Sequence, residues 1–218
     1  MSTPVKIDFV SDVACPWCAI GLAALERAMA DIGDGLQVEI HFQPFELNPD
    51  MGPQGESIAD HLAKKYGLSA EQLAQNGEAL RRRGEALGFH FDLQKRDRIY
   101  NTLDAHRLLH WAGELGATQQ LALKHALLQA YHGEGRDMSD HDTLVAIVAD
   151  AGLDAAEARR ILDADTYATQ VREREHFYQQ QGIRAVPSVI INDRHLVQGG
   201  QPPEVFEQAL RQLAGISG

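Results

Sequence analysis

The only two cysteines in the 218-residue chain are Cys15 and Cys18, with Pro16 and Trp17 between them. Two thiols at this spacing can close a small redox-active disulfide ring or offer a metal two soft ligands. Their surroundings bear on the choice. The run Val5-Lys6-Ile7-Asp8-Phe9-Val10 reads as a strand ending just before the pair, and Ile20, Leu22, Ala23, Leu25, Ala28, Met29 and Ile32 recur at helical spacing after it. A strand that hands over to a helix leaves Cys15 beside unpaired N–H groups and the positive end of the helix dipole, which favour a thiolate. Cys15 is therefore expected to be the accessible, acidic, attacking thiol, and Cys18, one turn on, the shielded resolving one. Pro16 suits a first helical turn. Trp17 adds an apolar surface beside the sulfur for a peptide-like substrate.

The elements that must hold this pair can be followed along the chain. Leu36 to Phe45 alternates apolar and polar residues as a second strand, giving a β-α-β unit that is parallel and right-handed if both strands share a sheet. Past Pro53 the composition turns to Ala, Leu, Gln, Glu and Arg, and helices are predicted over 57–66, 69–87, 97–115, 117–132, 140–150, 154–164 and 166–181. Ser69 and Asp154 are placed as N-caps. The tail returns to strands at Ser188–Ile191 and His195–Gln198, joined by Asn192-Asp193-Arg194 as a hairpin, before a last amphipathic helix that Pro203 can open. The order β-α-β, helical insertion, α-β-β-α is that of an α/β thioredoxin fold. It divides into a thioredoxin-like part, 1–51 with 166–218, and an inserted helical subdomain, 52–165. Val186-Pro187 just ahead of the third strand has two readings: a strand-opening proline, or a cis bond that aims the Val186 backbone at a substrate strand.

Three stretches together, Ser11-Asp12-Val13-Ala14-Cys15-Pro16-Trp17-Cys18-Ala19-Ile20-Gly21, Asn101-Thr102-Leu103-Asp104-Ala105-His106-Arg107-Leu108 and Gly182-Ile183-Arg184-Ala185-Val186-Pro187-Ser188, resemble the FrnE-like subfamily of DsbA-type thioredoxin-fold oxidoreductases. The resemblance spans nearly the whole chain. It implies that Cys15 is the nucleophile, that Cys18 resolves, and that a cis Val186-Pro187 bond lies beside them. It also implies disulfide-containing proteins or small thiols as partners, with glutathione a candidate co-substrate and no cofactor beyond the Cys15–Cys18 disulfide. One element of the pattern is missing. The buried carboxylate that thioredoxins and DsbA carry six residues before the first cysteine aligns with Phe9, which leaves the proton acceptor for Cys18 unassigned.

Other residues carry competing readings. His106 and His110 would complete a Cys2His2 set, but the two pairs lie far apart in the chain, and four ligands on zinc would silence the dithiol. No metal is expected. On a helix spanning 97–115, Tyr100, Asp104, Arg107 and Glu114 form the polar stripe, while Asn101, Thr102 and His106 fall on the buried sector. Those three either satisfy neighbouring backbone or border the site, and Asn101 and His106 are carried as substrate-side candidates with Trp17, Val186 and Pro187. Asp12 could tune the thiolate or cap a turn. Arg81-Arg82-Arg83 reads as a solvated helix face. Lys plus Arg total 20 against 31 Asp plus Glu, a formal charge of -11, which disfavours nucleic acid and anionic membranes as partners. With no apolar run long enough for a bilayer and no secretory pattern near Met1, the expected compartment is the cytoplasm. Thiol–disulfide exchange is the leading function. Its rivals are a glutathione-dependent isomerase or transferase of the 2-hydroxychromene-2-carboxylate isomerase or kappa type, where a serine commonly replaces the first cysteine and the second is absent, and a holdase-like peptide-binding module.

Overall fold

In the computed structural model, which describes residues 5–215, strand β1 (Val5–Ser11) is buried almost throughout. That burial explains its near-continuous apolar run. Chain order continues with α1 (Pro16–Ile32), a 3-10 turn at Gly33–Gly35, β2 (Val38–Pro44), the two-residue β3 (Glu56–Ser57), α2 (Ile58–Tyr66), α3 (Ala70–Ala86), the two-residue β4 (Arg98–Ile99), α4 (Leu103–Leu115) and α5 (Ala117–Leu128). A wider π turn, Gln129–Gly133, extends α5 and is followed by α6 (His141–Asp150), α7 (Ala155–Asp163), α8 (Ala168–Gln180), β5 (Ser188–Ile191), β6 (His195–Gln198) and α9 (Pro203–Ala214). The main sheet has the order β2-β1-β5-β6. Strand β1 runs parallel to β2 and antiparallel to β5, and β6 is antiparallel to β5. This is the thioredoxin arrangement with an added helical segment. Ser69 closes a full capping box with Gln72, and Asp154 accepts from the Ala156 and Glu157 N–H groups, so both expected N-caps are in place.

The sequence pattern misplaces one helix start. A helix was expected from residue 97, but Arg98 and Ile99 form β4 against Glu56–Ser57, and α4 begins only at Leu103. The reason is local. Asn101 Oδ1 accepts the Leu103 N–H at 2.9 Å, while its Nδ2 donates to the carbonyls of Met51 at 3.2 Å and Pro49 at 3.5 Å. A side chain that competes this well for backbone groups turns the chain instead of continuing a helix. The second correction is Arg107, expected on the polar stripe yet only 4% exposed. Its guanidinium donates to the carbonyls of Ile161, Ala164 and Thr166 and pairs with Asp104 at 2.5 Å. In this way it ties α4 to the C-terminal end of α7.

Two apolar cores interlock. Val13 and Ala14, from the loop after β1, pack in the helical core with Leu108, Leu123, Tyr131 and Ile147, whereas Phe91 and Leu128 of the helical segment pack in the sheet core with Phe9, Ile20, Phe42 and Cys18. A polar contact fastens the same junction. Among the described residues the outer edge of β2 has no neighbouring strand, and there the buried Gln120 of α5 accepts the Phe42 N–H at 2.8 Å and donates to the Phe42 carbonyl at 3.1 Å. The amide thus stands in for a missing strand, satisfying an edge that would otherwise be open. Gln120→Leu should therefore destabilise the protein by roughly 2–4 kcal/mol in denaturant unfolding, because two buried backbone groups lose their partners at once. Circular dichroism and tryptophan fluorescence should still report one shared transition.

Just past β2, the Glu46 N–H donates to Glu175 Oε1 at 2.8 Å, and the Glu46 carboxylate pairs with Arg172. Its second oxygen, Oε1, is buried without a partner among the described residues. Burial first, then the neighbouring Glu175 charge, push the Glu46 carboxyl from an ordinary 4.5 up to about 8. The folded state thus holds a proton that the unfolded chain has released, so this group lowers stability as pH rises from about 4.5 to about 8. Across that window, the stability of Glu46→Gln relative to the native protein should climb, as read by thermal unfolding at stepped pH. A constant difference would refute the assignment.

Candidate active site

The dithiol sits where β1 gives way to α1. Cys15 is the N-cap of α1, Pro16 opens the first turn, and Cys18 lies one turn inside, its N–H donating to the Cys15 carbonyl at 3.1 Å. Both residues are free thiols. Cys18 is fully buried, as expected. Cys15 is more enclosed than a helix-start position suggests, at 4% exposed, because the Val186 carbonyl lies over it, 3.8 Å from Sγ and accepting from the thiol. The Val186–Pro187 bond is cis. Pro187 packs against Gly21 of α1, where an added Cβ would stand 3.0 Å from the proline ring. A side chain there would press against the proline ring, so glycine favours this close approach.

The two sulfurs are held apart electrostatically. A hydrogen bond from the Cys18 thiol, opposed by burial and assisted by the N–H groups of Cys18 and Trp17, draws the Cys15 thiol below the ordinary range. The Asp12 charge works against this. Burial first, and then the Cys15 sulfur, push Cys18 well above the ordinary range. One sulfur is thus prepared to be a thiolate and the other to keep its proton.

Asp12 adopts the turn-capping role. Its Oδ1 accepts the Ala14 N–H at 3.1 Å and its Oδ2 the Leu47 N–H at 2.7 Å. Against the burial that would raise it, hydrogen bonding and charge from His106 hold this carboxyl below the usual range. His106 is itself buried on α4, with Nε2 3.5 Å from Asp12 Oδ1. It therefore braces the loop from beneath, while Asn101 is committed to the 49–51 loop and the start of α4. Nor do the two histidines converge on the sulfurs, since His110 faces Glu114 and the Tyr167 ring. Trp17, 38% exposed, lies on the surface next to the dithiol. Its ring packs on Gly200 and carries the Arg83 guanidinium 5.2 Å from the ring centroid. Arg83 belongs to the triplet expected to form a solvated face and is exposed as expected; its stacking on Trp17 is an added contact between distant segments that helical spacing does not reveal.

Two further residues were not singled out from sequence. His132, in the π turn, places Nε2 2.9 Å from the Val13 carbonyl and anchors the loop that carries Cys15. Widened helical turns of this kind recur at functional sites. Lys124 is fully buried on α5, with Nζ 5.5 Å from the Phe42 ring centroid and no hydrogen-bond partner among the described residues. A trace of it was legible: in Leu121-Ala122-Leu123-Lys124-His125-Ala126-Leu127-Leu128 the lysine falls three residues after one leucine and four before another, on the apolar stripe. It also lines a cavity of about 320 Å³ between β2, α4, α5 and α8.

Comparison with known proteins gives a consistent picture. A model of the DSBA-like thioredoxin domain matches residues 6–211. The chain is 30% identical over 207 residues to the uncharacterized protein YwbO of Bacillus subtilis (strain 168), covering 94% of this chain and 96% of that one. Its backbone matches the crystal structure of the probable DsbA oxidoreductase SCO1869 from Streptomyces coelicolor with a TM-score of 0.89 at 35% identity, over 98% of this chain and 92% of that one. The cytosolic disulfide reductase DsbM of Pseudomonas aeruginosa, solved with GSH, matches with a TM-score of 0.63 at 17% identity over 95% and 98% of the two chains, a likeness of fold alone.

The opposed shifts at the two sulfurs should be visible chemically. In the reduced protein at mildly acidic pH, iodoacetamide should modify Cys15 well before Cys18, as followed by peptide mass spectrometry. Cys18 labelled first would reverse the roles drawn from the helix geometry.

Proposed function

Because the chain belongs to the DSBA-like thioredoxin domain family, we propose that it is a thiol–disulfide oxidoreductase working through a mixed disulfide. The observation that carries this reading is the unequal pair: a helix-capping Cys15 favoured as thiolate, and a buried Cys18 that holds its proton. The Cys15 thiolate attacks one sulfur of a substrate disulfide, forming the Cys15–substrate bond and releasing the other substrate sulfur as a thiolate. Cys18 then attacks Cys15, closing the intramolecular disulfide and expelling the second substrate sulfur. The substrate leaves reduced and the dithiol oxidised. Read in reverse, the same steps oxidise a dithiol.

Trp17, Val186 and Pro187 form the candidate substrate surface. The Val186 carbonyl already faces Cys15, so an extended chain pairing with this backbone would bring its own sulfur to the thiolate, with main-chain bonds giving affinity and little sequence preference. Disulfide-bearing proteins suit such a surface, and small thiols such as glutathione suit the same exchange chemistry. Within the family, the Cys-Pro-Trp-Cys and Val-Pro elements favour the FrnE-like subgroup, and the absence of further cysteines for a structural disulfide framework favours the cytoplasm. None of the described helices is long and apolar enough to cross a membrane.

Insulin reduction with dithiothreitol as electron donor tests the reading. Cys15→Ser should fall to the uncatalysed background, whereas Cys18→Ser should accumulate a covalent complex with the substrate on non-reducing gels. Turnover that survives Cys15→Ser would overturn it.

A further inference from the structure

The three consecutive arginines of α3 are not equivalent. Arg81 pairs with Glu78 and Glu85, and Arg82 pairs with Glu78 at 2.7 Å, so these two charges are met by carboxylates on their own helix. Arg83 has no carboxylate partner among the described residues. Its guanidinium lies over the Trp17 ring instead, 5.2 Å from the centroid. The helix fixes this placement. Leu80 and Leu87, three residues before Arg83 and four after it, both pack against the apolar core that contains Cys15 and Cys18, so Arg83 stands on the side of α3 turned toward the dithiol helix. Trp17 is held in turn by Gly200, whose backbone approaches the indole so closely that an added Cβ would stand 3.0 Å from it. The result is an exposed cation resting on an exposed ring, and that ring belongs to the residue beside Cys18 and two along from Cys15.

We propose that Arg83 is a specificity-determining residue of the dithiol, pairing with a carboxylate of the incoming substrate while its sulfur is exchanged at Cys15. The substrate class is small disulfides that carry a carboxylate a few bonds from the sulfur. This deepens the redox reading above and rests on it. The two halves of such a ligand find different contacts. Its methylenes lie against the indole, and its carboxylate meets the N–H fork of the guanidinium, whose planar shape suits a bidentate pair. Contact with the ring restrains the arginine before the ligand arrives, which reduces the ordering still to be done on binding. Arg83 makes and breaks no covalent bond, and the carboxylate leaves unchanged.

Overall charge sharpens the argument. A chain of formal charge -11 repels anions as a whole, so any preference of the dithiol for anionic substrates must come from a cation close to it. Arg81 and Arg82 are already matched by Glu78 and Glu85, and Lys124 is fully buried. Arg83 is the exposed cation in contact with the residue between the two cysteines.

Three small disulfides of similar length and different end groups test the assignment: 3,3′-dithiodipropionate with two carboxylates, bis(2-hydroxyethyl) disulfide with none, and cystamine with two ammonium groups. The rate at which each oxidises the reduced protein is followed by loss of protein thiol in acid-quenched samples, for the native chain and for Arg83→Gln. Differences between leaving groups cancel in the native-to-variant ratio. At low salt that ratio should be about three to five for dithiodipropionate, close to one for the neutral disulfide and below one for cystamine. The dithiodipropionate ratio should fall toward one at about 1 M salt. Arg83→Glu should move both charged substrates further in the same directions. The neutral disulfide reports in each variant that the dithiol is intact. Equal ratios for all three disulfides would overturn the assignment, including an equal loss, which would mean that Arg83 only supports Trp17. A native protein that reacts with none of the three would remove the redox reading itself, and this assignment with it.

Discussion

Asp12 holds its carboxylate 1% exposed while accepting the N–H of Ala14 within its own loop and the N–H of Leu47 beyond β2, with the His106 ring of α4 alongside. Three segments far apart in sequence meet on this group. An ionised carboxylate in such a place is tolerable only with all its donors present, so the loop after β1, the exit of β2 and the first turns of α4 must take up one relative arrangement. The position of Cys15 follows from it. The same negative charge opposes the Cys15 thiolate, and the N–H groups at the start of α1 have to outweigh it. The loop is thus fixed by a charge that its own chemistry must overcome.

Most of what surrounds the dithiol from below comes from a single stretch, α5 and the π turn after it. Gln120 completes the edge of β2, Lys124 is buried over the Phe42 ring, Leu128 packs in the same core as Cys18, and His132 holds the Val13 carbonyl. These positions progress along the helix in steps of four, four and four residues, which keeps them near one side of it. The helical segment is therefore part of the dithiol's foundation, and its contribution combines hydrogen bonds to backbone with apolar packing.

The architecture was legible because it rests on periodicity. Alternation marked the strands, Gly and capping residues marked the helix ends, and the order of elements specified the fold. The dithiol was legible because a strand-to-helix junction gives Cys-x-x-Cys its chemical meaning. What escaped was whatever depends on partners distant in the chain. Arg107 reads as a surface residue until the carbonyls of 161–166 are placed beside it, and the stacking of the exposed Arg83 on Trp17 is invisible until the two segments are brought together. Asn101 was assigned to a helix because nothing in its neighbourhood announces the 49–51 loop. Lys124 lay on an apolar stripe where a charge does not belong, but sequence alone cannot show the Phe42 ring and the cavity it borders.

The pairing of β1 with β5 has a consequence for how the chain is made. Ile7 stands opposite Ile191 and Val10 opposite Ser188, so the middle of the sheet joins residues from the two ends of the chain. Contacts of such long sequence separation form late, since the intervening loop must be closed before they contribute. On the ribosome β1 and β2 emerge early, the helices acquire local neighbours, and the central strand waits for β5 with one edge bare. Until the last segment is released, Cys15 has no Val186 above it. A half-synthesised chain therefore carries Cys15 in an unfinished setting, and translation speed through the helical segment sets how long that exposure lasts.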